Sequence, residues 1–150
     1  MHAVPVPPAC RAAQLAGRFA EIPGSAGAGN VVYALRLRNR SGETCFVSGL
    51  PIVTLVGKSG RALPTHPVPA QPGAGTAVVV RLRPGERAEA TARFSPDVPG
   101  PGEGGGPRCE PVAYGLRIRA PGGGSLLAPV LPPTPVCEHG GLQLSLYRDA

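Results

Sequence analysis

Cys137-Glu138-His139 invites a chemical reading first, because a thiol and an imidazole two residues apart suit a metal ion or a nucleophile with its base. Both chemistries need a free thiolate, and a disulfide at Cys137 would consume it. A blue-copper site wants two histidines, a free cysteine and a weak methionine ligand, whereas Met1 is the only methionine. His2, His66 and His139 are the only histidines, and His66 lies among prolines, so no Ser–His–acid set has a visible rigid platform. Gly57-Lys58-Ser59 suggests a phosphate loop, but that motif requires a further glycine at position 52, where Ile52 stands, and a helix afterwards. A hairpin turn is the expectation there. Asn39-Arg40-Ser41 fits a glycosylation sequon and equally a strand-ending turn, which is the reading adopted. Glu86 and Glu89 flank a strand start three residues apart and point to opposite faces, a poor arrangement for paired carboxylate catalysis. The chain is therefore expected not to be an enzyme, and no cofactor or metal is expected.

One pattern stands out. Three Arg-x-Arg pairs, Arg36/Arg38, Arg81/Arg83 and Arg117/Arg119, each fall on the outward side of a strand. If the sandwich is immunoglobulin-like, its second and fifth strands pair, which would put Arg36, Arg38, Arg81 and Arg83 on one exposed sheet face. Such a face attracts phosphate- or carboxylate-bearing polymers. The competing explanation is that outward faces of strands need polar residues and a GC-rich genome supplies arginine. Nucleic acid is not expected as a partner, given few aromatics for base stacking and no nucleic-acid motif.

The elements that must carry these residues are short strands. Val31 to Arg38 is the clearest: Val31, Tyr33, Leu35 and Leu37 share one face and Arg36 and Arg38 the other, with Asn39 to Gly42 as the turn. Leu15, Gly17 and Phe19 alternate within a first strand over Arg11 to Ile22. Further strands are predicted over Cys45 to Ser48, Ile52 to Val56, Thr76 to Arg83 with Val78, Val80 and Leu82 inward, and Ala88 to Phe94. Later ones contain Tyr114, Leu116 and Ile118 inward, then Leu126 to Val130, then Leu142, Leu144 and Leu146. Leu63 to Gly75 is proline-rich without periodicity and is expected to be an extended surface loop, and Pro96 to Pro107 a mobile one. Eight or nine regularly spaced short strands favour an all-β sandwich.

Composition agrees. Gly and Pro number 22 and 20 among 150 residues and cluster between the apolar runs, leaving hardly any window for a helix. With aromatics at 4% and no Trp, the core must be thin and aliphatic. The net charge of +6 rests almost wholly on arginine, since Lys58 is the only lysine. A flexible segment is expected over 1–9, one domain over 10–147 and a short tail over 148–150. Four cysteines without metal-type spacing read as two disulfides and an oxidising compartment. Of the three possible pairings, Cys10 with Cys45 and Cys109 with Cys137 is expected, because each pair staples one end of the chain to its nearest cysteine-bearing segment. Loops of these lengths contribute about 3.5–4 kcal/mol each in the chain-entropy account. No export signal or membrane span is visible, and Pro8-Ala9 before Cys10 does not suit a lipidated N-terminus. An export signal is expected to have been removed, leaving a secreted or cell-surface protein.

Cys10, the strand ending in Asn39, Cys45-Phe46-Val47-Ser48-Gly49-Leu50-Pro51, the Leu82-Arg83-Pro84-Gly85-Glu86-Arg87-Ala88 turn, Cys109, and Cys137 with Gly141-Leu142 occur in an order that resembles an actinobacterial family of secreted proteins and lipoproteins, the domain of unknown function 4232. The resemblance spans Cys10 to about Ser145. It implies an immunoglobulin-like sandwich, export from a GC-rich Gram-positive bacterium and the same disulfide pairing; it implies no activity and carries over no functional residue. Two functions are expected to compete. The first is a non-catalytic extracellular or cell-envelope binding domain whose partner is an anionic envelope polymer or another envelope protein. The second is a secreted protease inhibitor presenting the 63–75 loop, whose prolines would preorganise it for a cleft.

Overall fold

A computed structural model describes residues 6–72, 78–104 and 108–150. Period-two alternation turns the apolar runs into strands: β1 (Leu15–Glu21), β2 (Val31–Asn39), β3 (Cys45–Ser48), β4 (Val53–Val56), β5 (His66–Pro69), β6 (Val79–Leu82), β7 (Arg87–Phe94), β8 (Val112–Arg119), β9 (Ser125–Pro135), β10 (Gly141–Leu144) and β11 (Arg148–Asp149). The protein is an all-β sandwich. Strands run in the order β4-β8-β9-β1-β2-β7-β10-β5, with β11 also on β7, while β3 and β6 pair separately. Strand β9 joins the two layers: Ser125 to Pro129 and then Thr134 and Pro135 pair antiparallel with β8, and between them Val130 and Leu131 run parallel to Phe19 and Ala20 of β1.

Both layers bury one face in a single aliphatic core, with Leu35 and Leu37 from β2, Ala88, Ala90 and Ala92 from β7, Leu55 from β4 and Leu116 and Ile118 from β8. Four rings sit within it, those of Phe19, Tyr33, Phe94 and Tyr147. Tyr33 lies 5.0 Å from both Phe19 and Phe94, centroid to centroid. The Tyr33 hydroxyl donates to the Pro132 carbonyl at 2.8 Å. Burial, with the charge of Glu21 adding, pushes its ionisation up to about 12.

The disulfides link Cys10 to Cys45 and Cys109 to Cys137. The first fastens the chain start to β3, where the Phe46 N–H donates to the Pro8 carbonyl and Ala9 bridges Phe46. Pro8 and Ala9 are thereby held within the expected flexible segment, of which residues 1–5 lie outside the described residues. At the other end, residues 148–150 are not a free tail: Arg148 and Asp149 pair with Glu89 and Ala88.

Several local expectations are corrected. The second strand pairs with β7 through eight residues, from Val31 opposite Phe94 to Arg38 opposite Arg87, and not with the Arg81 strand. The latter, β6, offers four residues and pairs with β3 beside the Cys45 disulfide. Val78 is exposed and precedes β6. A bulge between Ala113 and Gly115 turns Tyr114 outward, 43% exposed, and puts Ala113 in the core. Tyr147, three residues beyond β10, is buried where Leu146 was expected. The 63–75 segment contains β5, which runs parallel to β10 as an exposed edge strand; Pro67 and Pro69 hide the signal but are tolerated on an edge. Residues 73–75 of that segment and 105–107 of the Pro96 to Pro107 loop lie outside the described residues.

Asn39 holds β6 against the end of β2. Its side chain is fully buried, 0% exposed, and its amide donates to the carbonyls of Leu82 at 2.9 Å and Glu43 at 2.7 Å. The amide oxygen accepts from the Ser41 N–H and hydroxyl at 2.9 and 2.7 Å. Since an unpaired buried polar group costs about 1–3 kcal/mol, Asn39→Ala is expected to lower the unfolding free energy by about 2–4 kcal/mol in urea titration.

Candidate anion-binding face

The inward placement of Leu35 and Leu37 fixes Arg36 and Arg38 on the outer side of β2. The neighbouring strands then decide what lies beside them. On β1, Arg18 stands opposite Arg36 and Ala16 opposite Arg38; on β7, Glu89 stands opposite Arg36 and Arg87 opposite Arg38. Two cross-strand pairs are therefore arginine against arginine. Like charges directly opposite each other repel unless something between them carries the opposite sign.

Arg81 joins this group from β6. Leu82 is buried and its carbonyl is bound by Asn39, so the residue before it faces out, toward the same side. The five arginines Arg18, Arg36, Arg38, Arg81 and Arg87 line one open basin of about 800 Å³, together with Glu86, Glu89 and Asp149. Among the described residues the one ion pair to an arginine is Arg36 to Glu89, at 3.7 Å. A Glu86 carboxylate oxygen accepts from the Arg83 N–H at 2.8 Å and is engaged in the turn between β6 and β7. The small Ala16 and Gly85 leave the basin open between the long side chains.

The six arginines read from the sequence are thus divided. Arg36, Arg38 and Arg81 share the basin; Arg83 is exposed in the adjoining turn and does not line it. Arg117 and Arg119 are exposed on β8, which is separated from β2 by β9 and β1. Sequence reasoning missed Arg18 and Arg87. Both were legible: Arg18 lies between inward Gly17 and Phe19, and Arg87 directly precedes inward Ala88.

The other chemical candidates resolve locally. Cys137 is bonded to Cys109, so neither thiol is free. Gly57 to Gly60 forms a turn, closed by the Gly57 N–H to the Arg61 carbonyl at 2.8 Å, with no helix behind it. The sequon nitrogen of Asn39 donates two hydrogen bonds inside the protein.

The family model described as Domain of unknown function (DUF4232) matches residues 10–143, from the first half-cystine into β10. No curated protein and no solved structure matches the chain.

The repulsion argument predicts that Arg87→Glu, which places an acid opposite Arg38, raises the thermal midpoint at low ionic strength. The gain should correspond to about 0.2–1 kcal/mol and shrink as added salt shortens the screening length below about 8 Å. Thermal unfolding at two salt concentrations measures both.

Proposed function

Because the chain belongs to the DUF4232 family, described only as of unknown function, we propose from its surface chemistry that it is a non-catalytic extracellular or cell-envelope domain that binds anionic envelope polymer. The observation that carries this reading is the pair of opposed arginines, Arg18 with Arg36 and Arg38 with Arg87, joined by Arg81 around one basin. A guanidinium takes phosphate or carboxylate oxygens two at a time, and an anion between opposed arginines offsets the repulsion built into the register. Ligand binding then gains from relief of a strain that the free protein holds.

Two disulfides support an oxidising compartment. Among the described residues no helix is long and apolar enough to cross a membrane. Phosphate-bearing teichoic polymers and carboxylate-bearing uronic polymers are the envelope materials of matching charge. The protease-inhibitor alternative has less support: it asks for a projecting loop, whereas His66–Pro69 lies along β10 and the Ala70 N–H donates to the Leu144 carbonyl.

The test is co-sedimentation with Gram-positive cell walls before and after chemical removal of their phosphate polymers. Binding should occur at low salt, fall steeply with added salt and weaken at least about tenfold in the triple variant Arg36→Ala, Arg38→Ala, Arg81→Ala. The double variant Arg117→Ala, Arg119→Ala should bind as the parent does. No binding at low salt, or equal loss in both variants, would overturn the reading.

A further inference from the structure

A second cluster lies well away from the arginine face, where the Cys109–Cys137 disulfide joins the loop before β8 to the turn before β10. That turn, Cys137–Gly140, is left-handed: Glu138 and His139 have φ of 58° and 57°, and Gly140 follows at 80°. Only glycine fits at 140, since a Cβ there would collide with the Pro64 carbonyl. The turn presents the N–H groups of Glu138 and His139 to the Glu103 carboxylate, at 2.7 and 2.9 Å, and the Gly100 N–H adds a third at 2.8 Å. The Glu103 side chain is 1% exposed and the His139 side chain 56% exposed. Glu110 enters from beside Cys109, so the disulfide itself brings Glu110 and His139 together.

The imidazole is oriented. Its Nε2 lies 2.8 Å from the Pro101 carbonyl oxygen, which can only accept, so Nε2 carries the hydrogen and the neutral ring keeps its lone pair on Nδ1. That Nδ1 lies 3.6 Å from Oε2 of Glu110 and 3.9 Å from Oε2 of Glu103. One ligand atom from each of the three residues lies within 4.8 Å of the others. An ion centred among three atoms so spaced would sit roughly 2.1–2.4 Å from each, close to the 2.0–2.2 Å of zinc bonds to nitrogen and oxygen. A backbone carbonyl fixing the far nitrogen of the ring is the usual support for a histidine ligand.

We propose that Glu103, Glu110 and His139 form a binding site for a divalent transition-metal ion of the zinc type, with the fourth coordination position open to solvent on the His139 side. The imidazole ligand selects against magnesium and calcium, which prefer oxygen alone. The ion would bind the loop before β8 to the left-handed turn, adding a second fastener beside the disulfide. The neighbouring Glu110 and the N–H groups of Gly100, His139 and Glu138 hold Glu103 down at about 2, while Glu103 beside it pushes Glu110 above the usual carboxylate range.

The experiment is Zn²⁺ titration of the chelator-treated, disulfide-intact protein at neutral pH, in competition with a chromophoric chelator. The parent variant carries His2→Gln and His66→Gln, so that His139 is the one remaining imidazole. The site predicts one ion per chain, a change in the His139 Nδ1 chemical shift on binding, and affinity lowered at least about tenfold by His139→Gln and by Glu110→Gln. Thermal unfolding of each variant without metal establishes that the fold is retained; should Glu110→Gln not fold, the exposed His139→Gln carries the test alone. Failure to compete with a chelator of roughly micromolar affinity, or undiminished binding in His139→Gln, would overturn the proposal. Neither result bears on the arginine face, whose variants are separate.

Discussion

The side-chain amide of Asn39 is where the sandwich and its functional surface meet. It terminates β2, and from a fully buried position it spends both hydrogens on carbonyls of other segments, Leu82 at the end of β6 and Glu43 in the turn before β3. The backbone of the same residue receives the Gly85 N–H and donates to the Glu86 carbonyl, so the turn between β6 and β7 is bound there as well. Four segments converge on one residue. Without it the separate β3–β6 pair would have little to orient it against β2, because β6 shares no ladder with that strand. The placement of Arg81 beside Arg36 and Arg38 follows from this attachment.

The two disulfides act on the ends that the ladders leave loose. Cys10 to Cys45 pulls the chain start onto β3, and Cys109 to Cys137 closes the approach to β8 onto the turn before β10. A core that is mostly aliphatic, with one trio of rings at its centre, leaves a substantial share of stability to such cross-links.

Much of the fold was legible because alternation reports directly on burial. Val31, Tyr33, Leu35 and Leu37 are all buried, and Arg36 and Arg38 all exposed, as their spacing predicts. Alternation says nothing about partners. The pairing of β2 with β7 depends on eight matched positions and on small Ala88, Ala90 and Ala92 fitting under the core, whereas the expected partner, β6, is half as long. A bulge reverses the alternation at Tyr114, and two prolines hide β5, whose order comes from β10 rather than from its own residues. Of the site, the Arg-x-Arg motif identified three of the five basin arginines; Arg18 and Arg87 are single residues whose neighbours in space come from other strands. Glu103, Glu110 and His139 were invisible as a cluster, though Glu110 and His139 sit one and two residues from cysteines that pair.

The account rests on five arginines acting as one anion-binding surface, and an NMR titration locates binding residue by residue. A short linear polyphosphate added to ¹⁵N-labelled protein at low salt should shift the Nε–Hε resonances of Arg18, Arg36, Arg38, Arg81 and Arg87 together along one saturable isotherm. Those of Arg117 and Arg119 should stay in place. Equal shifts at all arginines, or shifts centred on Arg117 and Arg119, would contradict it and reduce the basin to an ordinary solvated strand face.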